Sequence, residues 1–281
     1  MISRRNFLKN SAGMAVAATG LAALNGLSAC SNTKSPGIQL YTVREEMLAD
    51  AIGTLKKVAA IGFKEIESAR SEKGNYYGLS PQEIKKVCGD LGMTLRSGHV
   101  HVDGEWEKTL DLASESGQEY LICSSMPTQG QTVDNYQRVA EWFMKNGEEC
   151  KKRNLKFGYH NHDYEFESEN GKVLYDVLLE NTDASTVHME LDLGWVKVTG
   201  NDPLDYFKRY PGRFPLWHLK DMDPVKKEST EFGKGNLPIA EILENMKLSG
   251  LKYFFVEQEE YASSPFESMT YNMAYLNKLK Y

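Results

Sequence analysis

Imidazoles and carboxylates crowd into a few short stretches of this chain. His99 and His101 stand two apart. The run Tyr159-His160-Asn161-His162-Asp163-Tyr164-Glu165 follows, then Glu190-Leu191-Asp192-Leu193-Gly194-Trp195, Trp217-His218-Leu219-Lys220-Asp221 and Val256-Glu257-Gln258-Glu259. On a strand, residues two apart share a face, so His160 pairs with His162, Glu190 with Asp192, and His218 with Lys220. Such groups turned inward are costly buried charges unless they pair with one another or hold a cation. Mixed nitrogen and oxygen donors suit a hard-to-borderline divalent ion. The competing reading is a polar, hydrogen-bonded rim without metal. His99 reads equally as a substrate contact or a supporting core histidine, and Glu67 as a substrate contact or a partner of neighbouring strand ends. Trp195 and Trp217 both read more readily as packing residues than as platforms for a ring-shaped ligand, though an aromatic at such a mouth stacks well on a sugar face.

The elements that must position these residues alternate. Strands are expected at 38–41, 65–67, 94–99, 120–124, 156–160, 187–191, 216–219 and 253–256. Helices are expected between them at 47–61, 80–91, 105–116, 133–154, 171–179, 203–210 and 238–248, with a last one at 269–279. Gly62 and Gly92 read as helix stops, and Ser80-Pro81 as a cap followed by a first-turn proline. Eight strands alternating with helices imply an α/β fold, a parallel (β/α)8 TIM barrel. An open doubly wound sheet fits less well, because no glycine-rich phosphate fingerprint follows the first strand. In a barrel of this kind the C-terminal strand ends form the active site, and that is where the histidines and carboxylates fall.

The N-terminus reads as an address. Arg4 and Arg5 form a twin-arginine start, residues 11–27 are small and uncharged, and Leu27-Ser28-Ala29-Cys30 resembles a lipobox whose Cys30 carries lipid. Residues 1–30 are therefore expected to be a signal peptide, 31–36 a polar tether, and 37–281 a single catalytic domain. This places the protein outside the cytoplasm, lipid-anchored in the periplasm or outer membrane of a Gram-negative bacterium. A net charge of −6 argues against nucleic acid as a partner. Cys88, Cys123 and Cys150 are too sparse and widely spaced for a disulfide framework or zinc site and read as buried apolar residues. A homo-oligomer is left open.

Several runs taken together resemble the sugar phosphate isomerase/epimerase family of the xylose-isomerase-like barrel superfamily. They are Gln39-Leu40-Tyr41, Gly62-Phe63-Lys64-Glu65-Ile66-Glu67, the His160–His162 run, Leu191 to Trp195 with Gly200-Asn201-Asp202-Pro203, and His218-Leu219-Lys220-Asp221-Met222. The resemblance implies one divalent ion of manganese, cobalt or zinc type. The family's metal set is Glu, Asp, His and Glu from strands five to eight, which points to Asp192, His218 and Glu257. Strand five departs from the pattern: His160 takes the fourth place, with Glu190 as the fallback. The implied chemistry is α-proton abstraction through a metal-bound enediolate, with His162, Lys220 and Glu257 as acid–base residues and Glu67, His99 and Trp195 as substrate contacts. An exported enzyme meets free sugars or glycosides rather than sugar phosphates, so the substrate expected is a non-phosphorylated keto-sugar or 3-keto-glycoside. Isomerisation or epimerisation is the first reading, β-elimination the second, and a non-catalytic sugar-binding lipoprotein the third.

Overall fold

Eight parallel strands close into a barrel in a computed structural model that describes residues 34–281. The strands are β1 (Gly37–Gln39), β2 (Glu65–Ala69), β3 (Thr94–Val100), β4 (Tyr120–Cys123), β5 (Lys156–His160), β6 (Val187–Asp192), β7 (Leu216–Leu219) and β8 (Tyr253–Val256). Each pairs with its sequence neighbour, and β1 closes the ring on β8 with Gly37 opposite Phe255. The arginine pair and Cys30 lie outside the described residues. Among the described residues, no helix is long and apolar enough to cross a membrane.

Local chemistry explains where the elements differ from expectation. β1 stops at Gln39 because its side chain accepts a hydrogen bond from the Tyr41 N–H (3.1 Å) and starts a 3-10 turn, Leu40–Val43. The helix expected at 47–61 is two helices, Arg44–Ala49 and Ala51–Ile61. Asp50 leaves the helical conformation between them and caps the second through the Gly53 N–H. Gly62, with φ +116°, ends that helix as expected. Residues 171–173 are not helical. Ser168–Glu169 and Lys172–Val173 form a small hairpin, and the helix runs Leu174–Glu180. The segment 238–248 divides into Ile239–Glu244 and Met246–Ser249. The last helix begins at Pro265 rather than 269, because Ser264 caps it. Also not anticipated were the 3-10 turn Tyr164–Phe166, the helix Leu193–Val198 and the hairpin Asp221–Met222 with Ser229–Thr230.

The barrel fills in two chemically distinct zones. Tyr120, Ile122, Leu216 and Phe255 form an apolar plug of their own, separate from the core under the helices. Leu216 and His218 share a face of β7, as do Phe255 and Glu257 along the β8 direction. Apolar residues thus occupy the lower interior and polar ones the upper. Outside the barrel, Trp217 stacks on Phe207 with centroids 4.9 Å apart, a packing role. Cys88, Cys123 and Cys150 are free and buried.

Candidate active site

The strand register sets the site. Asp192 lies opposite His218, and His160 opposite Glu190. Asn161 fixes Asp192 by accepting its N–H at 3.0 Å, and Asp192 Oδ1 caps the next helix through the Trp195 N–H at 2.8 Å. With Oδ1 committed, Oδ2 turns to the interior, 3.3 Å from His160 Nε2 and 3.7 Å from His218 Nδ1. His218 Nδ1 is 2.8 Å from Glu257 Oε2. His160, Asp192, His218 and Glu257 each offer one donor atom within 4.8 Å of the others, and all four are buried. The structure thus gathers the four residues named from the sequence as a ligand set.

Lys220 enters the same cluster. Its ammonium lies 3.1 Å from Asp192 Oδ2, 2.8 Å from Glu257 Oε2 and 2.7 Å from Glu259 Oε1, and 5.1 Å from the centre of the Trp195 ring. Gly194 permits this approach, since a Cβ there would stand 2.8 Å from the Lys220 carbonyl oxygen. Burial opposes the Lys220 charge, but Asp192 and Glu257 outweigh it and hold the ammonium well above the usual lysine range. Reciprocally, burial opposes the charge of Asp192, yet Lys220 and His160 hold it well below the carboxylate range. Glu257 is held low by Lys220 and His218 against the same desolvation.

A second layer lies one step deeper. Glu67 is fully buried and does not line the cavity; it accepts from Gln39 Nε2 at 2.8 Å and contacts His218 Nε2 at 2.7 Å. Of the two roles expected of Glu67, its position beneath His218 matches that of a partner to neighbouring strand ends, orienting that ring. Glu190 likewise is not a member of the upper cluster. Its Oε2 is 2.7 Å from His99 Nε2, because period-two geometry puts it a full step below Asp192. Burial pushes Glu67 and Glu190 each to about 7. His99 spans the layers, touching Glu190 while lining the cavity.

The cavity above the barrel has a volume of about 230 Å³. His162 and Trp195 line it as expected, together with Lys220 and Glu257. His162 Nδ1 is buried with no hydrogen-bond partner, and burial, aided by Lys220, lowers that ring to about 4, so it is neutral near pH 7. Six lining residues had no role from the sequence: Tyr41, Ala69, Arg70, His101, Ser124 and Glu259. Arg70 carried a signal, since it is the first cation after β2.

Glu165 was also missed as a positioning group. It is fully buried, accepts from the Tyr159 hydroxyl, and accepts the His162 N–H at 2.9 Å. Burial lifts it from 4.5 to about 7. A carboxyl raised in the folded state holds its proton natively across that window and loses it when unfolded. Its contribution to stability, about 3 kcal/mol, is therefore full below pH 4.5 and lost as pH rises to about 7. Glu165→Gln should flatten the decline in stability between pH 5 and 7.5 measured by urea denaturation. An unchanged slope would refute this account of Glu165.

The donor set fits a divalent ion. Carboxylates outnumber cations, the nitrogen and oxygen donors are mixed, and Glu67 Oε2, Glu190 Oε1 and His160 Nδ1 are buried without partners. Comparisons with known proteins agree with this architecture. The chain belongs to the xylose isomerase-like TIM barrel family, whose profile matches residues 55–279. It is 25% identical over 257 residues to an inosose dehydratase of Clostridium perfringens, spanning 76% of this chain and 84% of that protein. A solved sugar phosphate isomerase/epimerase from Parabacteroides distasonis is 27% identical, with a TM-score of 0.77, covering 90% of this chain and 97% of that one. A structure of L-ribulose 3-epimerase, 13% identical, shares the fold with a TM-score of 0.66 over 88% of this chain and 94% of that one. The protein is an enzyme, a sugar isomerase/epimerase or a mechanistically related carbon–oxygen lyase.

Proposed function

We propose that the enzyme removes a proton from the carbon beside a carbonyl and expels a β-oxygen substituent, acting on a non-phosphorylated keto-sugar or 3-keto-glycoside. The observation that carries this reading is His162, a cavity-lining ring that stands outside the donor clusters and keeps an unpaired nitrogen. His162 has a free ring nitrogen, whereas Glu257 is engaged by His218 and Lys220. Epimerisation calls for groups on both faces of the carbon; elimination needs one base and a route for the leaving oxygen.

His160, Asp192, His218 and Glu257 would hold the divalent ion. When bound, such an ion supplies Lewis-acid polarisation of the substrate carbonyl. The His162 ring accepts the α-proton as the C–H bond breaks. That electron pair forms the C=C bond while the β C–O bond breaks. The departing oxygen then takes a proton from the His162 ring, and the Lys220 ammonium stabilises the charge that develops on it. Trp195 and Tyr41 give the cavity aromatic faces suited to a sugar ring. Both Arg70 and Lys220 are already ion-paired, to Asp103 and to the Asp192–Glu257–Glu259 group, which favours a neutral hydroxyl-rich ligand over a phosphate ester.

Isomerisation or epimerisation is the second reading, favoured by the likeness to the Parabacteroides protein. Incubating metal-loaded enzyme with 3-keto-glucosides and free ketoses in D₂O, followed by NMR, separates the two. Release of the aglycone with a new vinylic signal is expected. Deuterium in an intact skeleton would replace elimination with isomerisation or epimerisation, and neither event would remove both.

The export reading belongs with this one, because it supplies the reason for a free sugar or glycoside. Its support is the order of three parts: Arg4-Arg5, an uncharged stretch, and a lipobox at Cys30. Cys30→Ala protein should fail to incorporate labelled fatty acid in cells, and Arg4→Lys with Arg5→Lys should leave it in the cytoplasm. Lipid on the Cys30→Ala protein would exclude the anchor.

A further inference from the structure

The ring of His218 faces two four-donor sets with its two nitrogens. Nδ1 meets Asp192 and Glu257, with His160 beside them. Nε2 meets a deeper set, Glu67, His99 and Glu190, whose donors also lie within 4.8 Å of one another. In the deeper set, two nitrogens and two oxygens alternate around a closed ring. His99 Nε2 is 2.7 Å from Glu190 Oε2 and 3.4 Å from Glu67 Oε1. His218 Nε2 is 2.7 Å from Glu67 Oε1 and 3.4 Å from Glu190 Oε2. Ligands about 2.0–2.2 Å from a zinc-type ion stand roughly 3.3 Å apart at tetrahedral corners, so small outward shifts of the shorter contacts would admit an ion.

We propose that Glu67, His99, Glu190 and His218 Nε2 form an inner metal site, an alternative position for a zinc- or cobalt-type divalent ion. Three observations carry it. Glu67 and Glu190 are fully buried carboxylates, and the second oxygen of each, Glu67 Oε2 and Glu190 Oε1, has no partner; such orphaned atoms are costly without a cation. The upper carboxylates Asp192 and Glu257 already have one in the Lys220 ammonium, whereas among the described residues the deeper pair meets the Gln39 amide and the His99 and His218 rings but no lysine or arginine. The supporting shell is also in place. With an ion on Nε2, the Nδ1–H donates to Glu257 at 2.8 Å, the carboxylate–histidine–metal arrangement that fixes a ligand's tautomer. An ion on Nδ1 reverses this, and Nε2–H donates to Glu67 at 2.7 Å.

One neutral imidazole offers one lone pair in its ring plane, so a single ion occupies one site or the other, and the tautomer of His218 matches the choice. His99 lines the cavity and gives the ion a way in. The proposal rests on the functional reading above only through the shared ligand His218.

The test loads cobalt(II) into four proteins, verified as folded by circular dichroism, and reads metal content together with the cobalt visible absorption. The parent should hold about one ion. Asp192→Asn with Glu257→Gln removes the upper donors and should still hold about one ion, with a changed spectrum. Glu67→Gln with Glu190→Gln should hold one in the upper site, and the combined quadruple variant none. A folded Asp192→Asn, Glu257→Gln protein without metal overturns the inner site and leaves the upper set standing. A metal-free Glu67→Gln, Glu190→Gln protein beside a loaded Asp192→Asn, Glu257→Gln protein removes the upper set and supports the inner one. Should the variants not fold, anomalous scattering at the zinc edge from zinc-soaked parent crystals decides. Density between Glu67 and Glu190 supports the proposal, and density only between Asp192 and Glu257 overturns it.

Discussion

Replacing His218 with alanine should strip the protein of bound divalent ion and of turnover together. His218 is the one side chain common to both donor clusters, and its two nitrogens contact Glu257 and Glu67 at 2.8 and 2.7 Å. Burial opposes a charge on this ring, but Glu257 and Glu190 outweigh it and raise the ring well above the usual histidine range. An incoming ion therefore displaces a proton, and uptake should strengthen with rising pH. Losing Lewis-acid polarisation worth several kcal/mol slows the chemical step by about 10³-fold or more. Elemental analysis should fall from about one ion per chain to none. The variant also leaves Glu67, Asp192 and Glu257 short of a partner, so a lower melting temperature should accompany the loss. A His218→Ala protein that kept its ion and its rate would remove this residue from the centre of the site.

The second large effect separates chemistry from metal binding. His162→Ala should keep the full metal content and lose turnover by roughly 10²–10⁴-fold, the usual worth of a general acid–base group. His162 is absent from both donor clusters, yet it lines the cavity and leaves Nδ1 unpaired. Its backbone is held by Glu165 and its ring stacks on Tyr164, with centroids 5.5 Å apart and planes 10° from parallel. The ring is therefore placed by neighbours that the substitution leaves untouched. Single-turnover kinetics should show the loss in the chemical step. If metal content falls with activity, His162 is a ligand and the proton acceptor must be sought elsewhere on the cavity wall.

How far the sequence reaches is clear from particular residues. The alternation of eight apolar runs with amphipathic stretches sufficed for the barrel, because strand and helix periods differ and parallel strands need crossover helices. Period two named the inward pairs His160 with His162, Glu190 with Asp192 and His218 with Lys220; the family resemblance then pointed to Asp192, His218 and Glu257 with His160 in the fourth place, and the structure brings those four together. Helix ends with a local code were legible too, as at Gly62 and at Ser80 with Glu83. The break at Asp50 and the 3-10 turn after Gln39 were not, because side chains there bond to backbone groups that helical periodicity cannot register.

What only the tertiary structure decided is depth along the barrel axis. Period two says which residues point inward, but not at what height, because height depends on the stagger between strands that are far apart in sequence. Glu67 is an inward carboxylate from the sequence; the fold seats it below His218, shut off from the cavity. Glu190 and Asp192 share a face, and register sends one to His99 and the other to His160 and Lys220. Lys220 reads as an acid beside a metal site, and only the packed structure shows its ammonium already held between Asp192, Glu257 and Glu259. Residue identity and spacing determined the chemistry available to this protein. The closure of the barrel, which brings β2 and β3 against β6 and β7 across its axis, determined which atoms can share an ion.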